Sequence, residues 1–146
     1  MAKTLRFLTA LMGWACVAIG LLHVALGNAA IPGAGSAGAT VDSLGRFLGA
    51  AFAGYGLAWL WTARQRPIPA QAVRWLSGVF LLGAVGRLIS LAVHGWPHDF
   101  QIALTVIELV LPPVLFWLAD AEERVSPGPA RPLVPHPSSG DADPAD

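Results

Sequence analysis

Arg46, Arg87 and Glu108 each stand inside a long apolar run, and that placement constrains this chain more than any other feature. The four runs, 7–27, 44–63, 75–93 and 100–119, fill most of the sequence. Each is close to the ~20 residues that a helix needs to cross ~30 Å of hydrocarbon. A charged side chain persists at bilayer depth when it pairs, lines a wet cavity or binds something, so these three residues mark where function is to be sought. With 55% hydrophobic and 12% charged residues, the chain lies far from the roughly 25% charged make-up of soluble domains. The expectation is an all-α fold, a four-transmembrane-helix antiparallel bundle spanning 1–120. Beyond it, 121–146 turns to Pro, Ser, Gly and Asp. That stretch holds too little apolar surface to offset the entropy of ordering and is expected to be a disordered cytoplasmic tail.

Orientation follows from the nine basic residues. Outside the runs, Lys3 and Arg6 precede the first, Arg64, Arg66 and Arg74 lie between the second and third, and Arg124 and Arg131 follow the fourth. The other two connections hold none. Alternating passes put all of these on one side, and the positive-inside bias makes that side the cytoplasm, with both termini there, in a cell inner membrane. Trp59, Trp61, Trp75 and Trp117 fall at the same ends, where an interfacial aromatic belt is expected. A cleaved signal peptide competes for the first run. That run exceeds the ~7 to 15 apolar residues of such peptides, so a retained span is the expectation. The Arg-, Ala- and Gly-rich composition points to a bacterial source. Cys16 is the one cysteine, which excludes an intramolecular disulfide, a CxxC redox pair and a multi-cysteine metal site. A net charge of zero and the absence of a basic face argue against a nucleic-acid partner.

At ~3.6 residues per turn, each run shows one small or polar stripe. Gly13, Cys16, Gly20, His23 and Gly27 form the first, and Arg46, Gly49, Ala53 and Gly56 the second. Gly83, Arg87, Ser90 and His94 form the third, and Gln101, Thr105, Glu108 and Pro112 the fourth. Such stripes turn inward, because lipid solvates the apolar faces and small residues let backbones approach. Gly45, Gly49 and Ala53, at small-xxx-small spacing, also allow a homo-oligomer. Asp42 or Ser43 is expected to cap the second helix. A rise of ~1.5 Å per residue places Arg46, His23, Arg87 and Glu108 at depths of ~3, ~6, ~9 and ~12 Å from the outer surface, in one layer. The short connection between the third and fourth runs makes them antiparallel neighbours, so an Arg87–Glu108 ion pair is expected. Pro112 and Pro113 remove the donors that the carbonyls of Glu108 and Leu109 would meet, which is expected to bend the helix.

These elements carry a resemblance. Arg46-Phe47-Leu48 with Gly54 and Gly56, Gly86-Arg87-Leu88-Ile89-Ser90 with Gly95-Trp96-Pro97, and Glu108-Leu109-Val110-Leu111-Pro112-Pro113 together resemble the bacterial family called domain of unknown function 4345. The resemblance covers about residues 8–119 and omits the tail. It implies a small four-pass membrane protein, assigns no activity and transfers no catalytic residue.

Arg87, Glu108, Arg46, His23 and His94 are therefore the expected binding cluster. Two arginines against one glutamate leave a surplus positive charge, suited to an anionic lipid or a small anionic molecule. The alternative is a structural or accessory membrane subunit without a ligand, in which Arg46 snorkels or pairs with Asp42 and the Arg87–Glu108 pair fixes helix register. A proton-coupled transporter ranks below both, because the cytoplasmic half of the stripes offers no polar relay. No catalytic constellation, metal or cofactor is expected, since Gly95 and Pro97 interrupt the helix that His94 and His98 would need to share a metal. The expected partners are the lipid bilayer, the anionic ligand and further copies of the chain.

Overall fold

The computed structural model describes residues 2–32 and 38–125. Four helices follow one another: α1 (Ala2–Leu26), α2 (Ala39–Arg64), α3 (Ala70–His94) and α4 (Asp99–Val125), with a 3-10 turn at Gly27–Ala30. No strand occurs among the described residues. Glycine and proline set the boundaries. Gly27 and Gly95 take φ of +55° and +81°, backbone conformations that residues with a Cβ avoid. Pro69 immediately precedes α3, a position where a missing N–H costs nothing.

Two boundaries differ from expectation. The N-cap of α2 is Gly38, which offers no side-chain cap; neither Asp42 nor Ser43 caps the helix, because the helix begins before both. At the other end, 121–125 are helical rather than tail. Ala121, Glu122, Glu123 and Arg124 propagate a helix well, and Arg74 holds that turn against α3 through Asp120 and Glu123. The rest of the expected tail, 126–146, lies outside the described residues.

The helices form two antiparallel hairpins, α1 with α2 and α3 with α4. In the first, glycines interlock. A Cβ on Gly20 would lie 2.5 Å from the Ala53 nitrogen, and one on Gly56 would lie 2.6 Å from the Val17 nitrogen. Backbone therefore meets backbone along the whole hairpin, the contact that small residues permit between apolar helices. Among the described residues Gly45 has nothing within 4 Å of its would-be Cβ, so the interlocking row runs through Gly49, Ala53 and Gly56 instead.

The hairpins join at the end where α1 begins and α4 finishes, here called the terminal end. Leu5, Met12, Trp59, Ile68, Val73, Leu115 and Leu118 make one core there, drawn from all four helices. Trp59 is 0% exposed. It packs edge-on to Tyr55, with ring centroids 6.1 Å apart, so it belongs to this core rather than to an interfacial belt. Trp61, Trp75 and Trp117 are exposed on the outside. The Tyr55 hydroxyl donates to the Leu76 carbonyl, and Arg6 donates to the Gln65 carbonyl at 3.2 Å.

At the opposite end, the turn end, the hairpins part. No residue in 85–100 is buried, whereas Gly20, Gly27 and Gly49 keep α1 and α2 in contact to their turn. Three segments, Ala2–Ala30, Ala70–His94 and Asp99–Val125, are helical, long and apolar enough to cross a membrane. The α2 helix is as long, but Arg46, Tyr55 and its glycines dilute its apolarity.

Candidate functional site

Two charged constellations stand at the turn end, one in each hairpin. In the first, Arg46 Nε donates to Asp42 Oδ2 at 2.7 Å. Its Nη1 donates to the carbonyls of Val24 at 2.6 Å and Ala25 at 3.2 Å. Those carbonyls end α1 and have no helical donor of their own. Asp42 Oδ1 accepts the backbone N–H of Asn28 at 2.9 Å, and a Cβ on Gly27 would collide with the same carboxylate. Arg46 and Asp42 thus close the α1–α2 turn as a neutral staple.

The Asp42 carboxyl is held below its ordinary range, chiefly by the Arg46 hydrogen bond and then by the Asn28 amide. A carboxyl depressed in the folded state adds stability above its unfolded value of ~3.9, and loses it as pH falls through the lower folded value. The protection factor of the Asn28 amide, its exchange relative to the intrinsic rate at each pH, is therefore expected to be flat from neutral pH to about 4 and to fall below it. In Asp42→Asn it should be lower throughout and lack that acid step.

In the second constellation, Arg87 Nε donates to Glu108 Oε2 at 2.8 Å and Nη1 donates to Gln101 Oε1 at 2.6 Å. The Glu108 side chain is 9% exposed and that of Arg87 36%. Glu108 Oε2 lies over Gly83, 3.9 Å from where a Cβ would stand. Glu108 is buried, whereas no residue in 85–100 is. Glu108 therefore sits where the two hairpins diverge, and Arg87 reaches from it toward the open side.

The structure brings Arg87 and Glu108 together and separates the other expected members. Arg46 belongs to the other hairpin. His23 is half-buried against Gly49; its Nδ1 meets the Ile19 carbonyl at 2.8 Å, and since a carbonyl only accepts, that nitrogen carries the proton. His94 is exposed in the last turn of α3. The surplus positive charge expected from two arginines and one glutamate is absent. Asp42, counted as part of a connection, lies inside α2 and pairs with Arg46.

Sequence reasoning placed Gln101 on the polar stripe but not in the site. Its position seven residues before Glu108, two helical turns on the same face, is the signal that finds it. A cavity of about 170 Å³ opens beside Arg87, lined also by the polar Ser90, Gln101 and Thr105 and the apolar Leu91, Pro97 and Ile102. Thr105 Oγ donates back to the Gln101 carbonyl at 2.8 Å and is not free to donate elsewhere. At the terminal end, Arg74 makes a separate clamp on α4, donating to Asp120 Oδ1 at 3.0 Å and to Glu123 Oε2 at 2.5 Å. No group of three or more His, Cys, Asp or Glu among the described residues is placed to hold a metal ion.

These features define a small all-helical protein of two hairpins, most of whose helices are long and apolar enough to cross a membrane. Residues 4–119 match the family described as Domain of unknown function (DUF4345), and the chain belongs to that family. Comparisons with curated proteins and with solved structures give no match.

Proposed function

We propose that the turn end of α3 and α4 binds an anionic group, a lipid phosphate or a small carboxylate, through Nη2 of the Arg87 guanidinium. One observation carries this reading: the orientation of Gln101. A guanidinium has donors only, so the Gln101 carbonyl must face Arg87 and its NH₂ must point away. Neither that NH₂ nor Arg87 Nη2 has a hydrogen-bond partner among the described residues. Arg87, Gln101 and Ser90 all line the cavity, which gives it three donor-bearing side chains. Glu108 accepts from Nε and so fixes the plane of the guanidinium, which leaves Nη2 as its remaining donor. Helix dipoles do not decide the matter, because the end of α3 and the start of α4 meet here with opposite signs.

The same reading places the protein in a bacterial inner membrane, with four crossings and both termini in the cytoplasm. The distribution of Lys and Arg supports it. The role is binding rather than catalysis. An accessory subunit without a ligand is the second reading, favoured by the uncovered stretch 85–100.

Binding of inorganic phosphate and acetate to protein in phosphatidylcholine nanodiscs, and retention of phosphatidylglycerol doped into those discs, separates the two. A charge-assisted hydrogen bond contributes ~1.5–3 kcal/mol, so Arg87→Gln is expected to weaken whichever of these anions binds by about tenfold or more. Equal affinity in both proteins, or no anion binding by either, defeats the binding reading and leaves the accessory one.

A further inference from the structure

We infer that the occupant is the phosphate of an anionic membrane lipid, with its acyl chains outside the cavity; this rests on the binding reading above. Size comes first. A cavity of about 170 Å³ has room for roughly five or six waters at ~30 Å³ each, and falls below the ~300–1,000 Å³ that encloses a whole small-molecule ligand. A phosphate group fits. The remainder of its bearer must stay outside.

What surrounds the cavity decides the nature of that remainder. Leu91, Pro97 and Ile102 are its apolar lining residues. On the same two helices Leu88, Val93 and Val106 are exposed apolar residues. A soluble phosphate ester bound here would press its polar remainder against this surface, whereas an acyl glycerol would continue along it. The position in the chain agrees: Arg87 lies ~9 Å below the membrane surface on the ~1.5 Å rise per residue, a depth that a lipid phosphate reaches by a small displacement while its chains remain in hydrocarbon.

The lining also selects among lipids. Arg87 Nη2, the Gln101 NH₂ and the Ser90 hydroxyl offer donors to phosphate oxygens, but no carboxylate among the described residues lines the cavity to receive an ammonium. Glu108 already accepts from Arg87. A headgroup carrying its own cation would bring that cation beside Arg87 with no free carboxylate to pair with it, and like charges side by side are costly, which disfavours zwitterionic lipids. Phosphatidate and phosphatidylglycerol carry no such cation.

The test uses full-length protein in phosphatidylcholine nanodiscs doped with either of these anionic lipids, read by native mass spectrometry of retained lipid. Glycerol phosphate and inorganic phosphate are added as soluble competitors. Retention of the anionic lipid over phosphatidylcholine by about tenfold, undisturbed by the soluble phosphates and lost in Arg87→Gln, supports the inference. Gln101→Leu should reduce the preference in part, and this variant keeps the Arg87–Glu108 pair. Glycerol phosphate that binds Arg87-dependently as tightly as the lipid, or displaces it, overturns the lipid assignment but leaves the anion site standing. Phosphatidylcholine retained equally overturns it too. If no anion of any kind depends on Arg87, this inference and the reading beneath it fail together.

Discussion

Gly20→Leu is expected to force α1 away from α2 and to lower stability by about 3 kcal/mol, the upper end of the ~1–3 kcal/mol range for overpacking. The reason is the identity of the atoms a side chain would strike. Beyond Gly20 stand the Ala53 nitrogen at 2.5 Å, the Gly49 oxygen at 2.6 Å and the Ala53 Cα at 2.9 Å. These are backbone atoms of a helix and cannot rotate aside as a side chain would. Gly56 faces the mirror situation, with the Val17 nitrogen at 2.6 Å and the Gly13 oxygen at 2.7 Å. Gly56→Leu should therefore match Gly20→Leu, and the double variant should cost less than their sum, because the first substitution already opens the seam. Gly54, on the same helix, and Gly86, on α3, have nothing within 4 Å of a would-be Cβ among the described residues. Leucine there should be neutral or stabilising by up to ~1 kcal/mol through helix propensity. Denaturant unfolding in mixed micelles, followed by circular dichroism, measures all four. Gly20→Leu as stable as Gly54→Leu would show that the hairpin is not sealed by backbone contact.

The interlocked face was readable from spacing alone: Gly13, Gly20, Gly49 and Gly56 fall on stripes because a helix repeats every ~3.6 residues. The Arg87–Glu108 pair was readable for a related reason, since a short connection fixes both the antiparallel sense and the relative depth of its helices. Periodicity within single helices does not report how hairpins sit against each other. All the stripes were expected to meet in one closed bundle, and the structure instead gathers its core at the terminal end and leaves 85–100 unburied. That is why one layer at similar depth became two constellations: depth is a single coordinate, and Arg46 and Arg87 differ in the other two. Trp59 was misplaced in the same way. An indole near a membrane surface suits the interface, but its neighbours Leu5, Val73 and Leu118 come from other helices and leave no mark on the local sequence. Gln101 escaped because it is uncharged, although its partner guanidinium gives its orientation a meaning that composition cannot.

The second large effect concerns the buried carboxylate. Glu108→Leu leaves Arg87 facing a low-dielectric site without its counter-charge, and removal of one partner from a buried pair costs ~3–5 kcal/mol. The lower end, about 3 kcal/mol, applies because the Arg87 side chain retains 36% exposure and can turn toward the open side. Replacing both, Arg87→Leu with Glu108→Leu, removes the charges together and should recover most of that loss. The cycle of two single variants and the double should return a coupling of about 2 kcal/mol or more, the mark of a direct interaction rather than two independent sites. Gln101→Leu should be mild in stability, since it removes one hydrogen bond and leaves the ion pair intact. What separates scaffold from site is the behaviour of the recovered double variant. A protein that unfolds like the unmodified chain yet no longer retains anionic lipid would show that the guanidinium serves binding, with Glu108 as the residue that holds it in place. A recovered double variant that still retains the lipid would assign the pair to helix register alone and move the ligand elsewhere.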